Sequence, residues 1–365
     1  MRRFLIWTFV LAVVAALGAG VWILRNIAAS GQFSTLRSQP ADCKAVSGLT
    51  GVEDLVIDPV SGFVYFSATD RRAQRSGKPL ASSGIYLGVY DRPEITPQPL
   101  TANAGPDFHP HGVSLFTAPD GTQTLAVVNH PSADRSEIVL FDVLTETPNG
   151  GAPVVSLRRR ETITDPLMPS ANDVHLTGPS QFYASVDQGS TTALGGMLEV
   201  WLNLPRSSVV YWDGAKMTRA AGGLVYANGI NGSADGRILY VAETTGLALR
   251  FYERDLASGV LTRLDSLHLG TALDNIDVAE DGTLWIAAHP HILDFLAHVS
   301  DPAALSPTQI LKVVPPKGAQ KGEVRQVYMN DGSEISAGSV AAAHRGRLLV
   351  GSVFESRYLN CVAPQ

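Results

Sequence analysis

One unit recurs six times along this chain, and a sixfold repeat of strands constrains the fold more than any other feature. Each copy has a polar residue or pair, a short strand, a turn and a second apolar strand. The copies are EDLVIDPVSGFVYFSA from Glu53, HGVSLFTAPDGTQTLAVVNH from His111, NDVHLTGPSQFYASVD from Asn172, NGINGSADGRILYVAE from Asn228, DNIDVAEDGTLWIAAHP from Asp274 and GSVAAAHRGRLLVGSVF from Gly338. Their starts are 58, 61, 56, 46 and 64 residues apart, room for four short strands and their loops. Asp-Gly pairs at Asp120, Asp235 and Asp281 supply hairpin turns. An all-β sandwich would show similar strands but not a sixfold repeat. The predicted fold is therefore an all-β, six-bladed β-propeller.

The charged fraction is 17% and the net charge −6, which excludes a disordered polyelectrolyte and a basic nucleic-acid surface. Before the repeats, Phe4 to Leu24 carry no charge, with Arg2 and Arg3 on one side and Arg25 on the other. At a helical rise of roughly 1.5 Å per residue the run spans about 30 Å, the thickness of a bilayer core. It reads as a retained transmembrane signal-anchor with its start in the cytoplasm, the remainder being exported to a periplasmic or extracellular space. Cleavage near Ala16-Leu17-Gly18-Ala19, giving a secreted protein, is the alternative. The expected organisation is residues 1–25 for the start and anchor, 26–42 for a linker and 43–365 for the propeller. Cys43 and Cys361 sit near the two ends of the folded part. In an exported protein they read as a disulfide closing the ring, two buried free thiols being the alternative.

The polar residues that open the repeats carry the chemistry. In a propeller the equivalent innermost strands line one central channel, so equivalent positions meet at one depth. Glu53-Asp54, His111, Asn172-Asp173, Asn228 and Asp274-Asn275 form that ring, and the sixth copy adds only Gly338 and Ser339. Four carboxylates gathered near an axis repel one another without cations. Many oxygen donors select Ca²⁺ over Zn²⁺. The formal charges suggest two ions, one balanced by Glu53 and Asp274 and the other by Asp54 and Asp173. A single such residue could instead cap a strand start, but recurrence in four copies sets the group apart. His130 ends the strand after His111, and the two could pair to position a water and take its proton. Their alternative is a structural role in the channel. His289 ends the corresponding strand of the fifth copy and reads as a wall of the substrate pocket. The apolar stretch TTALGGMLEVWLNLPRSS, with Trp201, reads as a helix between blades three and four, either packed on the rim or walling the pocket. No nucleophile elbow, Walker loop or dinucleotide fingerprint occurs.

With GVEDL, PHGVS, VVNHP, NDV, YANGIN, DNI and AAHPH in order, the chain resembles the paraoxonase/arylesterase family from about Cys43 to Cys361. The resemblance implies hydrolysis of lactones and aryl esters by a six-bladed propeller holding two calcium ions. Glu53, Asn172, Asn228, Asp274 and Asn275 would bind the catalytic ion. Asp54, Asp173 and the Val113 carbonyl would bind the structural one, with His111 and His130 as the catalytic dyad. It also implies a Cys43–Cys361 bridge and membrane association through the N-terminal helix. The partners expected are a small lactone or ester and the membrane, with no nucleic acid; the oligomeric state stays open. The segment ATDRRAQRSGKP departs from the family, being basic where relatives carry an aromatic flap. A gluconolactonase- or strictosidine-synthase-like propeller, and a non-catalytic binding propeller, are the competing readings.

Overall fold

The computed structural model describes residues 2–132, 134–316 and 322–364; Met1 and Gln365, the ends of the expected organisation, lie outside it. Six four-stranded antiparallel sheets are arranged as the blades of a propeller. Their innermost strands are Val52–Ile57, Pro110–Thr117, Ala171–Leu176, Ala227–Gly232, Ala272–Val278 and Gly338–His344. Each opens one of the six repeats read in the sequence. The ring closes because Cys43–Ser47, from the start of the domain, pairs with Arg357–Val362 as the outermost strand of the last blade. Cys43 and Cys361 stand opposite each other in that pairing and are joined by a disulfide.

Six apolar clusters hold the ring together, one at each blade-to-blade contact. Tyr65, Tyr183 and Tyr328 are fully buried in three of them. The near-continuous burial of the second strand of each copy, such as Phe63–Thr69 or Leu284–His289, shows that it fills these interfaces from both faces of its sheet.

Among the described residues four α-helices accompany the blades. The first, α1 (Arg2–Ala29), is apolar and long enough to cross a membrane, and none of its most apolar window is buried. The others are α2 (Arg71–Arg75), α3 (Ala193–Leu202) and α4 (Ile292–Ser300). Each lies between the second and third strands of its blade, in blades one, three and five. A second antiparallel strand returns to the end where the first began, so all three helices stand on the face where the ring residues lie. The helix around Trp201 is therefore inside blade three, not between blades three and four. The repeat displays only the two inner strands of each blade, so a connection between inner and outer strands reads as a boundary. Asp70 caps α2 by accepting from Ala73 N (3.0 Å), and Thr192 caps α3 by accepting from Gly195 N (3.2 Å).

The end of α1 packs against α3 and α4. Trp22 Nε1 donates to Leu202 O (2.8 Å), and Trp201 lines a small apolar cavity of about 50 Å³ with Ile23, Ile27, Leu247, Ile292 and Leu296. The following segment is tied down as well. Gln32 Oε1 accepts from Leu293 N (2.7 Å), and Gln39 exchanges two backbone hydrogen bonds of 2.9 Å with Met329.

Candidate metal and catalytic centre

All six innermost strands lose register with their neighbours at the polar positions, between Val52 and Asp54, Pro110 and Val113, Ala171 and Val174, Ala227 and Ile230, Leu273 and Ile276, and Gly338 and Val340. A bulge of this kind re-aims side chains that would otherwise alternate across the sheet. It explains why the sequence has pairs, Glu53-Asp54, Asn172-Asp173 and Asp274-Asn275, where a regular strand would send one residue into each interface. All six of these side chains are buried.

The end of the second strand then holds the ring residue of its own blade. His130 Nε2 lies 3.3 Å from His111 Nδ1. Asp187 Oδ2 accepts from Asn172 Nδ2 (3.5 Å), Thr244 Oγ1 accepts from Asn228 Nδ2 (3.0 Å), and His289 Nε2 lies 2.8 Å from Asp274 Oδ2. Across the axis, Asn275 Nδ2 donates to both the carbonyl and Oε1 of Glu53 (3.0 Å each), and Ser339 Oγ donates to the same carbonyl (2.7 Å). The amide nitrogens of all three asparagines are thus engaged. Their oxygens are not: Asn172 Oδ1, Asn228 Oδ1, Asn275 Oδ1 and Glu53 Oε2 are buried and receive no hydrogen bond.

Four unsatisfied buried acceptors would cost about 1–3 kcal/mol each, and a hard cation removes that cost. Among the described residues no group of three or more His, Cys, Asp or Glu side chains could hold a metal ion by itself, so a cation in the ring would depend on amide oxygens beside carboxylates. That donor set fits an oxygen-seeking ion such as calcium and lacks the nitrogen and sulfur ligands that zinc prefers. Electrostatics agree. Burial, reinforced by Asp274 and opposed by Arg71, pushes Glu53 up to about 8. Burial pushes Asp173 up to about 7, and burial together with Asp173 holds Asp54 well above the carboxylate range. These carboxyls ionise fully only beside a counter-cation.

Asp54 and Asp173 also tie neighbouring blades together. Asp54 accepts from Leu55 N (2.8 Å) and, in the next blade, from Val113 N (2.7 Å). Asp173 accepts from Val174 N (2.7 Å) and from Ile230 N of the next blade (2.8 Å). They staple blade one to two and three to four. Blades two and three also approach closely here, and Gly112 permits it, since a Cβ there would lie 2.4 Å from Asp173 Oδ1.

His111 is part of the ring's electrostatics. Its Nε2 lies 3.1 Å from Glu53 Oε1 while Nδ1 faces His130. Burial, then Arg71 and His130, depress His111 well below the usual imidazole range, and burial with Arg71 brings His130 down to about 4. Both rings are therefore neutral at pH 7. His109 turns away to Ser83 (3.0 Å) and does not join His111. His289 is buried, its ring centroid 4.2 Å from that of Phe295 on α4. Trp201 lines the cavity against α1 and α4 described above.

Sequence reasoning missed Arg71, Asp187 and Thr244. Arg71 donates to the carbonyls of Gly51 (3.3 Å), Thr69 (3.4 Å) and Pro110 (3.3 Å), which hold its guanidinium 3.9 Å from Glu53 Oε2. It belongs to the basic segment ATDRRAQRSGKP. Asp187 and Thr244 occupy the position of His130 and His289, at or next to the end of each copy, so the repeat alignment contained the signal that finds them.

The arylesterase family model matches residues 78–362. Human serum paraoxonase/arylesterase 1 is 33% identical over 358 residues, covering 94% of this chain and 97% of that protein. Rabbit (Oryctolagus cuniculus) serum paraoxonase/lactonase 3 is 30% identical over 370 residues, covering 99% and 100%. Among solved structures, a luciferin-regenerating enzyme superposes with a TM-score of 0.52 at 13% identity, covering 89% of this chain and 96% of that one. Regucalcin, a calcium-binding protein from Agrobacterium tumefaciens, superposes at 0.50 and 14% identity, with 90% and 96% covered. At such identities these two share the fold alone, whereas the family match and the full-length relatives settle the lineage: the chain belongs to the paraoxonase/arylesterase family.

Proposed function

We propose that this protein is a calcium-dependent hydrolase of lactones and aryl esters. One observation carries the reading: four buried oxygens without hydrogen-bond donors, from blades one, three, four and five, stand beside a neutral histidine pair. Glu53, Asn172, Asn228, Asp274 and Asn275 would hold the ion nearer the substrate face. Asp54, Asp173 and the Val113 carbonyl would hold a second, deeper ion. A divalent cation at the first site supplies Lewis-acid polarisation of the carbonyl and stabilises the negative charge that develops on its oxygen.

The chain's own groups do the rest. His111 Nδ1 faces His130, so Nε2 is the nitrogen on the ring side, where it lies 3.1 Å from Glu53 Oε1. The tautomer competent as a base carries its hydrogen on Nδ1, donated to His130 Nε2, and its Nε2 lone pair would be freed for water when Glu53 turns to the ion. Nε2 takes a proton from the attacking water, and His130 shares the resulting charge. Burial, assisted by Arg71 fixed by three carbonyls, keeps the pair neutral until then. His289 orients Asp274, while the helices α2, α3 and α4 rim the substrate face. Anchorage through α1 would keep that face near a membrane, with the propeller exported. A hydrolysis panel tests the reading. Phenyl acetate and a long-chain lactone should be turned over in calcium. Turnover confined to polar sugar lactones, or to none of them, would reject it.

A further inference from the structure

We infer that the deeper ion exchanges through the mouth of the tunnel opposite the substrate face. The passage is a vestibule in which Ser114, His175, Asn231 and Asp277 form a second polar ring. This rests on the two-ion reading above.

A cavity of about 290 Å³ occupies this half of the tunnel. Its lining follows the inner strands in order of depth, from Asp54, Val113 and Asp173 at one end to Pro59, Ala234 and Glu280 at the hairpin turns. Glu53, His111, Asn172, Asn228 and Asp274 do not line it, so it stops beneath the upper ring. The stopping layer is tightly closed. A Cβ on Gly112 would meet the Asp173 backbone at 2.5 Å, and one on Gly229 would meet the Asp274 carbonyl at 2.6 Å. The inner strands of neighbouring blades touch there, which leaves the hairpin side as the open approach to Asp54 and Asp173.

The second ring is built rather than incidental. Its members sit a short step along the strands from the upper ring, and three tie their blade to the next. Ser114 Oγ accepts from Leu176 N (3.0 Å), Asn231 Nδ2 donates to Ile276 O (2.9 Å), and Asp277 Oδ2 accepts weakly from Ala343 N (3.4 Å). At the outer end His344, 6% exposed, has an Nε2 without a partner. Charge favours the same route. The lining holds Asp54, Asp173, Asp277 and Glu280 but no Lys or Arg, whereas Arg71, Arg72 and Arg75 crowd the substrate face on α2. A low-dielectric passage of one sign concentrates the opposite ion and raises its rate of entry.

The test uses the full-length protein in detergent, loaded with ⁴⁵Ca²⁺ and diluted into excess chelator, with release followed by rapid filtration. Two phases are expected, the slower from the deep ion. Among the described residues both cysteines are in the disulfide, so an introduced thiol can be labelled alone. A bulky maleimide on Ala234→Cys should slow the slow phase several-fold and spare the fast one. The same label on Leu194→Cys, exposed on α3, should leave the slow phase unchanged. Glu280→Cys, also at the vestibule rim, repeats the test at a second position. Asp277→Asn should lower the rate of deep-ion uptake by about 2- to 10-fold and weaken its salt dependence. A slow phase indifferent to both vestibule labels, or slowed by the label at Leu194→Cys, overturns the route while two bound ions per chain keep the functional reading intact. A chain that binds no calcium overturns both.

Discussion

His111 and His130 face each other ring to ring, Nδ1 to Nε2 at 3.3 Å, although 19 residues separate them in sequence. They meet because one opens the first strand of blade two and the other closes the second. If Nε2 of His111 is the base, His111→Gln should lower turnover by about 10²–10⁴ on lactones with poor leaving groups, with calcium content unchanged. Steady-state kinetics with metal analysis check this; full activity would hand the role to a carboxylate of the ring.

If two ions are bound as proposed, variants of Asn228 and Asp54 should separate them. Asn228→Ala removes one neutral oxygen and should loosen the substrate-side ion and abolish activity while the fold survives. Asp54→Ala removes a staple to Val113 and leaves Asp173 without its partner ion, so it should cost about 3–5 kcal/mol of stability. Melting temperature and turnover followed through a calcium titration distinguish the two. Proportional loss of both in each variant would refute the division of labour.

Gly112 should tolerate no side chain. Gly112→Ala drives a Cβ against Asp173 and should destabilise by about 1–3 kcal/mol, measured by denaturant unfolding at saturating calcium.

Arg71 competes with a cation for Glu53. Arg71→Gln removes a positive charge 3.9 Å from Glu53 Oε2, worth about 1–4 kcal/mol between the limits of water and a protein surface, so calcium at the substrate-side site should bind at least about fivefold tighter. Isothermal titration would register it, and weaker calcium binding would show that the guanidinium supports the site instead.

The ring was legible in the sequence because bulges leave a trace. Two polar residues in succession at the start of an otherwise apolar strand, as at Glu53-Asp54 and Asn172-Asp173, can both turn inward only where the register breaks. Cys43 and Cys361 were legible for a similar reason, since a ring must be closed where its ends meet. Arg71 was not, because its position depends on three backbone carbonyls from two blades that no local pattern brings together. Nor was α4, a nine-residue helix behind Pro290 that reads as the tail of a strand. Trp201 was recognised as helical, but its packing against α1 and α4 arises from a segment read only as a membrane anchor.

The central claim is that the oxygen ring works by holding calcium beside the histidine pair. It is tested most directly by stripping the full-length protein with a chelator and titrating calcium back. Bound metal and turnover of a long-chain lactone are measured in the same samples. Turnover should vanish on stripping and return in proportion to occupancy of the weaker of two sites. Hydrolysis that persists in the stripped protein, or calcium that fills both sites without restoring it, would contradict the account.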